Sequence, residues 1–139
     1  MNTGLFRIAG AAAALFILAN TAHAQDAVDC GNAQTQADMN TCSQQDFDKA
    51  DTALNAVWPD AQAFADGADV DLPADQQGYS QALLESQRAW LTFRDTECAL
   101  EGFGARGGSL EPMLISGCKA TLTNDRVKAL QAMIDGEPQ

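Results

Sequence analysis

Histidine is all but missing from this chain: one, His23, among 139 residues. It lies in a leader that the sequence marks for removal, so the expected mature chain has none. That absence excludes Ser-His-Asp and Cys-His catalysis and every His-ligated metal site. Basic residues are also scarce, eight against 19 acidic. A chain so poor in Lys and Arg lacks the basic footprint that nucleic-acid phosphates require. Close C-x-x-C pairs are missing, which argues against zinc and dithiol redox chemistry. No stretch beyond the N-terminus has membrane length, and no β-alternation or internal repeat stands out.

The N-terminal segment reads as an export signal. Arg7 and the amino terminus form a positive n-region, Ile8 to Ala19 a short apolar core, and Ala22-His23-Ala24 the small-x-small cleavage pattern. The apolar run is shorter than the ~20 residues a spanning helix needs. Residues 1–24 are therefore expected to be a cleaved signal peptide and 25–139 a single domain, ordered over about 30–134 and periplasmic or secreted. Gln25 rather than a cysteine follows the cut, which gives no lipid-anchor signal. Removing Arg7 leaves seven basic residues against nineteen acidic ones, a formal net charge of −12. Such a charge favours a basic partner, or solubility alone.

Four cysteines remain, Cys30, Cys42, Cys98 and Cys118. An even count in an exported chain predicts two disulfides, with three possible connectivities. Seven helical rises from Thr35 to Cys42 cover roughly 10 Å, a distance the preceding five residues can fold back over. The glycine-rich segment Gly102–Gly108 can return a third helix so that Cys118 meets Cys98. The pairing 30–42 and 98–118 is preferred on this ground, and the cross-linked alternatives stay open.

Three helical segments are legible. The first is expected over Thr35 to Ala65, with Thr35 as N-cap, Asp38 as its capping-box partner and a kink or break near Val57–Trp58 because of Pro59. Phe47, Ala50, Leu54, Val57, Trp58 and Ala61 recur at helical spacing as its buried stripe. The second is expected over Ala74 to Leu100, with Tyr79, Leu83, Trp90, Phe93 and Cys98 on one face. The third is expected to start at an N-cap on Ser109, with Leu110, Leu114, Cys118, Leu122, Leu130 and Ile134 on its face and a possible restart at Thr123. The expected fold is all-α, a small antiparallel bundle of three to four helices with two disulfides.

The residues with most chemistry form one pattern: Cys30-x11-Cys42, Ala50-Asp51-x-x-Leu54-Asn55-x-x-Trp58, Gln87-Arg88-x-Trp90-x-x-Phe93-Arg94-Asp95-x-x-Cys98, then Cys118 with Arg126 and Leu130. This resembles the LprI-type lysozyme-inhibitor domain family of small exported bacterial proteins, over nearly the whole mature chain. Trp58 stands where that family usually has tyrosine. The resemblance implies a helical fold, export, and binding or inhibition of lysozyme.

Read from the residues alone, Arg88 and Arg94 with Asp51, Asp95 and Asp125 are candidates for ion pairs that lock helices in register, and Gln87 and Asn55 for bridges between helices. Arg106, Gly107, Gly108 and Ser109 form the candidate contact loop. A flexible loop there could present Arg106 to the two carboxylates of a lysozyme cleft while the acidic surface steers the approach. Asp66, Asp69, Asp71 and Asp75 lack the EF-hand spacing and its closing glutamate, so no metal and no cofactor is expected. The alternatives are an envelope interaction protein with another partner and, less favoured, a hydrolase using Asp51 with Asp95 or Glu97.

Overall fold

The computed structural model describes residues 28–136. The expected signal peptide and its cut after Ala24 lie outside the described residues, as does Pro138. Helix α1 spans Gln36–Asp69, α2 Tyr79–Gly102 and α3 Glu111–Asp135, with single 3₁₀ turns at Cys30–Asn32 and Phe103–Ala105. Among the described residues there is no strand, so the domain is an all-α bundle.

The disulfides are Cys30–Cys42 and Cys98–Cys118. The first fastens the N-terminal turn to α1. The second ties α2 to α3, whose packing against each other is less extensive than that of α3 against α1.

Helix α1 begins as the sequence suggests. The Asp38 amide donates to Thr35 Oγ1 at 3.1 Å, and the Thr35 amide donates back to Asp38 Oδ2 at 3.3 Å. It does not end at Ala65, nor break at Pro59, but runs on to Asp69. Pro59 removes the amide that would reach the Asn55 carbonyl, and both residues lie on the exposed side, where water can serve that oxygen. On the opposite side Leu54, Val57, Ala61 and Ala65 are buried in one cluster with Leu83 and Leu130. Continuous burial on the inner face outweighs one lost hydrogen bond on the outer.

The start of α2 was misplaced by the sequence. Residues 71–78 remain outside the helix, and Gly78 at φ 133° precedes it with no side-chain cap of its own. The cap comes from α1. Asp69 accepts the amides of Gly78, Tyr79 and Ser80 at 3.0, 3.0 and 3.1 Å, and the Ser80 hydroxyl donates to Asp66. The carboxylate thus serves the free amides and the positive end of the helix dipole together. The Tyr79 and Ser80 amides, with a lesser part from Gly78, outweigh the opposing desolvation and hold the Asp69 carboxyl below its ordinary 3.8.

A group with a depressed folded-state pKa stabilises above its unfolded value and loses that contribution as pH falls through the folded one. Asp69→Asn should therefore melt below the parent at neutral pH, with the two curves converging as pH falls below the ordinary carboxyl range. Melting curves across that window check this; a gap of constant size would contradict it.

Helix α3 is capped at Leu110, not Ser109, and it runs without a restart through Thr123 to Gly136, the left-handed residue that ends it. Thr123 is fully buried, a place the apolar pattern did not assign to it. The chain reverses tightly before α3: a Cβ on Gly102 would sit 2.5 Å from Ile115 Cγ1, an approach only glycine permits.

Candidate functional site

The Gln87–Cys98 segment of α2 turns polar groups inward. Gln87 and Arg94 are each 7% exposed, while Phe93 and Tyr79, expected on the buried face, are 51% and 44% exposed. The core face of α2 is accordingly Leu83, Gln87, Arg94 and Cys98. Apolar spacing misleads here because the buried polar groups all have partners, as burial requires.

Arg94 is the hub. Its Nη1 donates to Asp51 Oδ1 of α1 at 3.3 Å and to Thr123 Oγ1 of α3 at 3.4 Å, and its Nε donates to Asp95 Oδ1 at 3.1 Å. The guanidinium carbon also lies 5.1 Å from the centre of the Phe47 ring and 5.3 Å from that of Trp90. One side chain therefore joins all three helices. Lys119 extends the network to Asp95 at 3.2 Å. Partial burial pushes the Asp95 carboxyl up, but the hydrogen bonds and charges of Arg94 and Lys119 outweigh it and leave the group below its ordinary value. A carboxyl held ionised in this way is unsuited to donate a proton near neutral pH, so in a glycosidase-like pair with Asp51 it would be the ionised member and not the acid. Glu97 faces a different groove.

A second link pairs Gln87 with Arg126, whose Nε donates to Gln87 Oε1 at 2.8 Å and whose Nη2 reaches Ser86 Oγ at 3.3 Å. Arg126 also lies over Trp90 at 5.8 Å, and its half-buried position pushes its pKa down. Leu54 is buried, and Trp58 and Trp90 pack against the same core.

Three expected partners are placed otherwise. Arg88 is exposed and makes no ion pair among the described residues. Asp125 pairs with Lys128 one turn away at 2.8 Å. Asn55 donates to Asp51 Oδ2 on its own helix at 3.1 Å, so it braces that carboxylate without bridging helices. Each sits on an outward face, which helix spacing alone did not resolve. Thr123 and Lys119 were missed: the first read as a helix restart, and the second was not singled out by any motif.

The loop that joins α2 to α3 is built from its own hydrogen bonds. The Arg106 amide donates to the Phe103 carbonyl at 3.2 Å, and the Gly108 amide to the Ala105 carbonyl at 2.9 Å. The Gly107 amide, at a φ of 77°, donates to Glu111 Oε2 at 2.7 Å, and Asn40 Nδ2 holds the Ser109 carbonyl at 2.9 Å. This connection is therefore bonded at both ends. It carries Arg106 stacked 4.5 Å over the ring centre of Phe103, which is 57% exposed, beside Leu100 at 66%.

Asp66 and Asp69 are engaged by Ser80 and the α2 amides, and the described residues contain no cluster of three or more metal-ligating side chains. No helix among them is long and apolar enough to cross a membrane.

The chain is 43% identical over 110 residues to an uncharacterised protein of Rhizobium meliloti (strain 1021), a match covering 77% of this chain and 79% of that protein. No solved structure matches it. The family model described as lysozyme inhibitor LprI matches residues 28–130, nearly all of the described domain. With its helical bundle and paired cysteines, the chain belongs to the LprI lysozyme-inhibitor family.

Proposed function

We propose that this protein is an exported binding module that engages a basic lysozyme or a related cell-wall hydrolase, and blocks it without turnover. The observation that carries this reading is the loop between α2 and α3, where Arg106 lies over an exposed Phe103 in a turn closed by its own hydrogen bonds. Arginine and aromatic side chains are the usual anchors of protein interfaces. Anchors already held in place lose less freedom on binding. A glycosidase cleft lined by two carboxylates is a fitting receptor for the guanidinium. The formal charge of −12 expected after signal removal steers a basic enzyme toward the surface.

Two disulfides fit a periplasmic or secreted setting, where such bonds persist. In this reading residues 1–24 are removed and the mature protein starts at Gln25. The buried network of Arg94, Gln87 and Arg126 holds the helices that present the loop and does not itself meet the target.

Arg106→Ala should weaken inhibition of lysozyme roughly tenfold or more, with unchanged melting, since an interface anchor is worth ~2 kcal/mol or above. Titration calorimetry beside a lysis assay measures it. A variant that inhibits as tightly as the parent would remove this loop from the interface. An envelope interaction protein with another partner remains the second reading; it uses the same exposed patch but predicts no effect on lysis.

A further inference from the structure

The inner faces of α1 and α3 do not close completely at the disulfide end of the bundle. Leu114 and Leu122, expected in the core, are only half-buried there, with Met39 and Met113 beside them. Together they floor a groove of about 680 Å³ that both disulfides border. That size lies within the range of sites that hold small ligands or short peptide segments. Methionines suit such a surface because their unbranched, polarisable chains adapt to varied apolar shapes.

The rim has one sign of charge. Glu97 and Glu101 of α2 and Asp46 of α1 line the groove, and no Lys or Arg does among the described residues. Asp46 is partly neutralised by Lys49 at 3.0 Å. Glu97 and Glu101 make no ion pair among the described residues. They are four residues apart on one helix, a spacing that brings like charges together at a small cost to the helix. Their own fold does not offset that repulsion; a cation in the groove would.

We propose that this groove binds a cationic amphipathic peptide segment, its apolar side chains on the Met–Leu floor and its Lys or Arg residues on Glu97 and Glu101. The mode is that of an amphipathic helix laid in an apolar groove, with charge setting the choice of partner. The acidic rim repels anionic lipid surfaces and acidic peptides alike. The site is separate from the Arg106 loop and does not depend on lysozyme being the target of that loop.

The test uses the oxidised mature protein and a synthetic twelve-residue Leu/Lys amphipathic peptide, with a Leu/Glu peptide of the same pattern as control. Fluorescence anisotropy should show saturable one-to-one binding of the lysine peptide, weakening as salt rises, and none of the glutamate peptide. The double variant Glu97→Gln, Glu101→Gln should weaken that binding about tenfold, since two exposed charge pairs are lost. Leu122→Asn should weaken it further. Circular dichroism of each variant confirms the helical fold, and both should leave lysozyme titration unchanged, whereas Arg106→Ala should leave peptide binding unchanged. Equal binding of both peptides, or an undiminished affinity in the double variant, would overturn the proposal. So would a dimer in sedimentation whose dissociation alone exposes the groove.

Discussion

Replacing Arg94 by alanine should lower the stability of the fold by about 3 kcal/mol. The side chain is 8% exposed and alone touches both α1, through Asp51, and α3, through Thr123, among the polar links of the site. Truncation leaves the fully buried Thr123 hydroxyl without its donor and a void against Phe47 and Trp90. Breaking a fully buried ion pair typically costs 3–5 kcal/mol, because a charge is stranded away from water. Here Asp51 and Asp95 are 41% and 51% exposed and can rehydrate, which sets the loss at the lower end of that range. Arg94→Lys keeps the charge but not the planar fork that reaches three acceptors, so it should recover only part of the loss. Urea unfolding with an unchanged m-value measures both. A loss below about 1 kcal/mol for the alanine variant would show that the network is incidental to the fold.

Removing the Cys98–Cys118 bond is the other large effect. The bond spans 20 residues of sequence, and releasing a loop of that length from the unfolded chain corresponds to about 3 kcal/mol. For a domain of this size the melting temperature should fall by roughly 10 °C or more in the Cys98→Ala, Cys118→Ala double variant. The bond also closes the segment that carries Phe103 and Arg106. Its loss should therefore weaken target binding by more than stability alone accounts for, as loop ordering is deferred to the binding step. Calorimetric melting paired with inhibition titration well below the melting point separates the two. The Cys30–Cys42 bond joins only the N-terminal turn to α1, and its removal should leave the Arg106 loop competent.

Much of this architecture could be read from local chemistry. The Thr35–Asp38 box, the stripe through Leu54, Val57 and Ala61, and the two disulfide pairs all depend on neighbours close in sequence or on loop reach. What escaped was decided by partners on other helices. Pro59 gave no break because its outer face is wet and its inner face is packed. The α2 start lay beyond Ala74 because its cap is the Asp69 carboxylate, nine residues before Gly78.

Phe93 was placed inside and proved exposed, since Arg94 and Gln87 take the core face with partners from α1 and α3. Arg88 and Asp125 carry the same charges as the groups that join the helices yet point outward, a difference of helical angle that composition does not contain. Within the candidate contact loop, the sequence identified Arg106 and the glycines. The stacking partner Phe103 and the bracing groups Glu111 and Asn40 became visible only once the chain was folded back.

A binding module that blocks a lysozyme is tested most directly by the lysis of cell walls by a basic lysozyme, titrated at low salt with the purified, oxidised mature protein. Lysis should fall linearly to an end near one equivalent, with a weaker response as salt screens the approach. Undiminished lysis at large molar excess would contradict it.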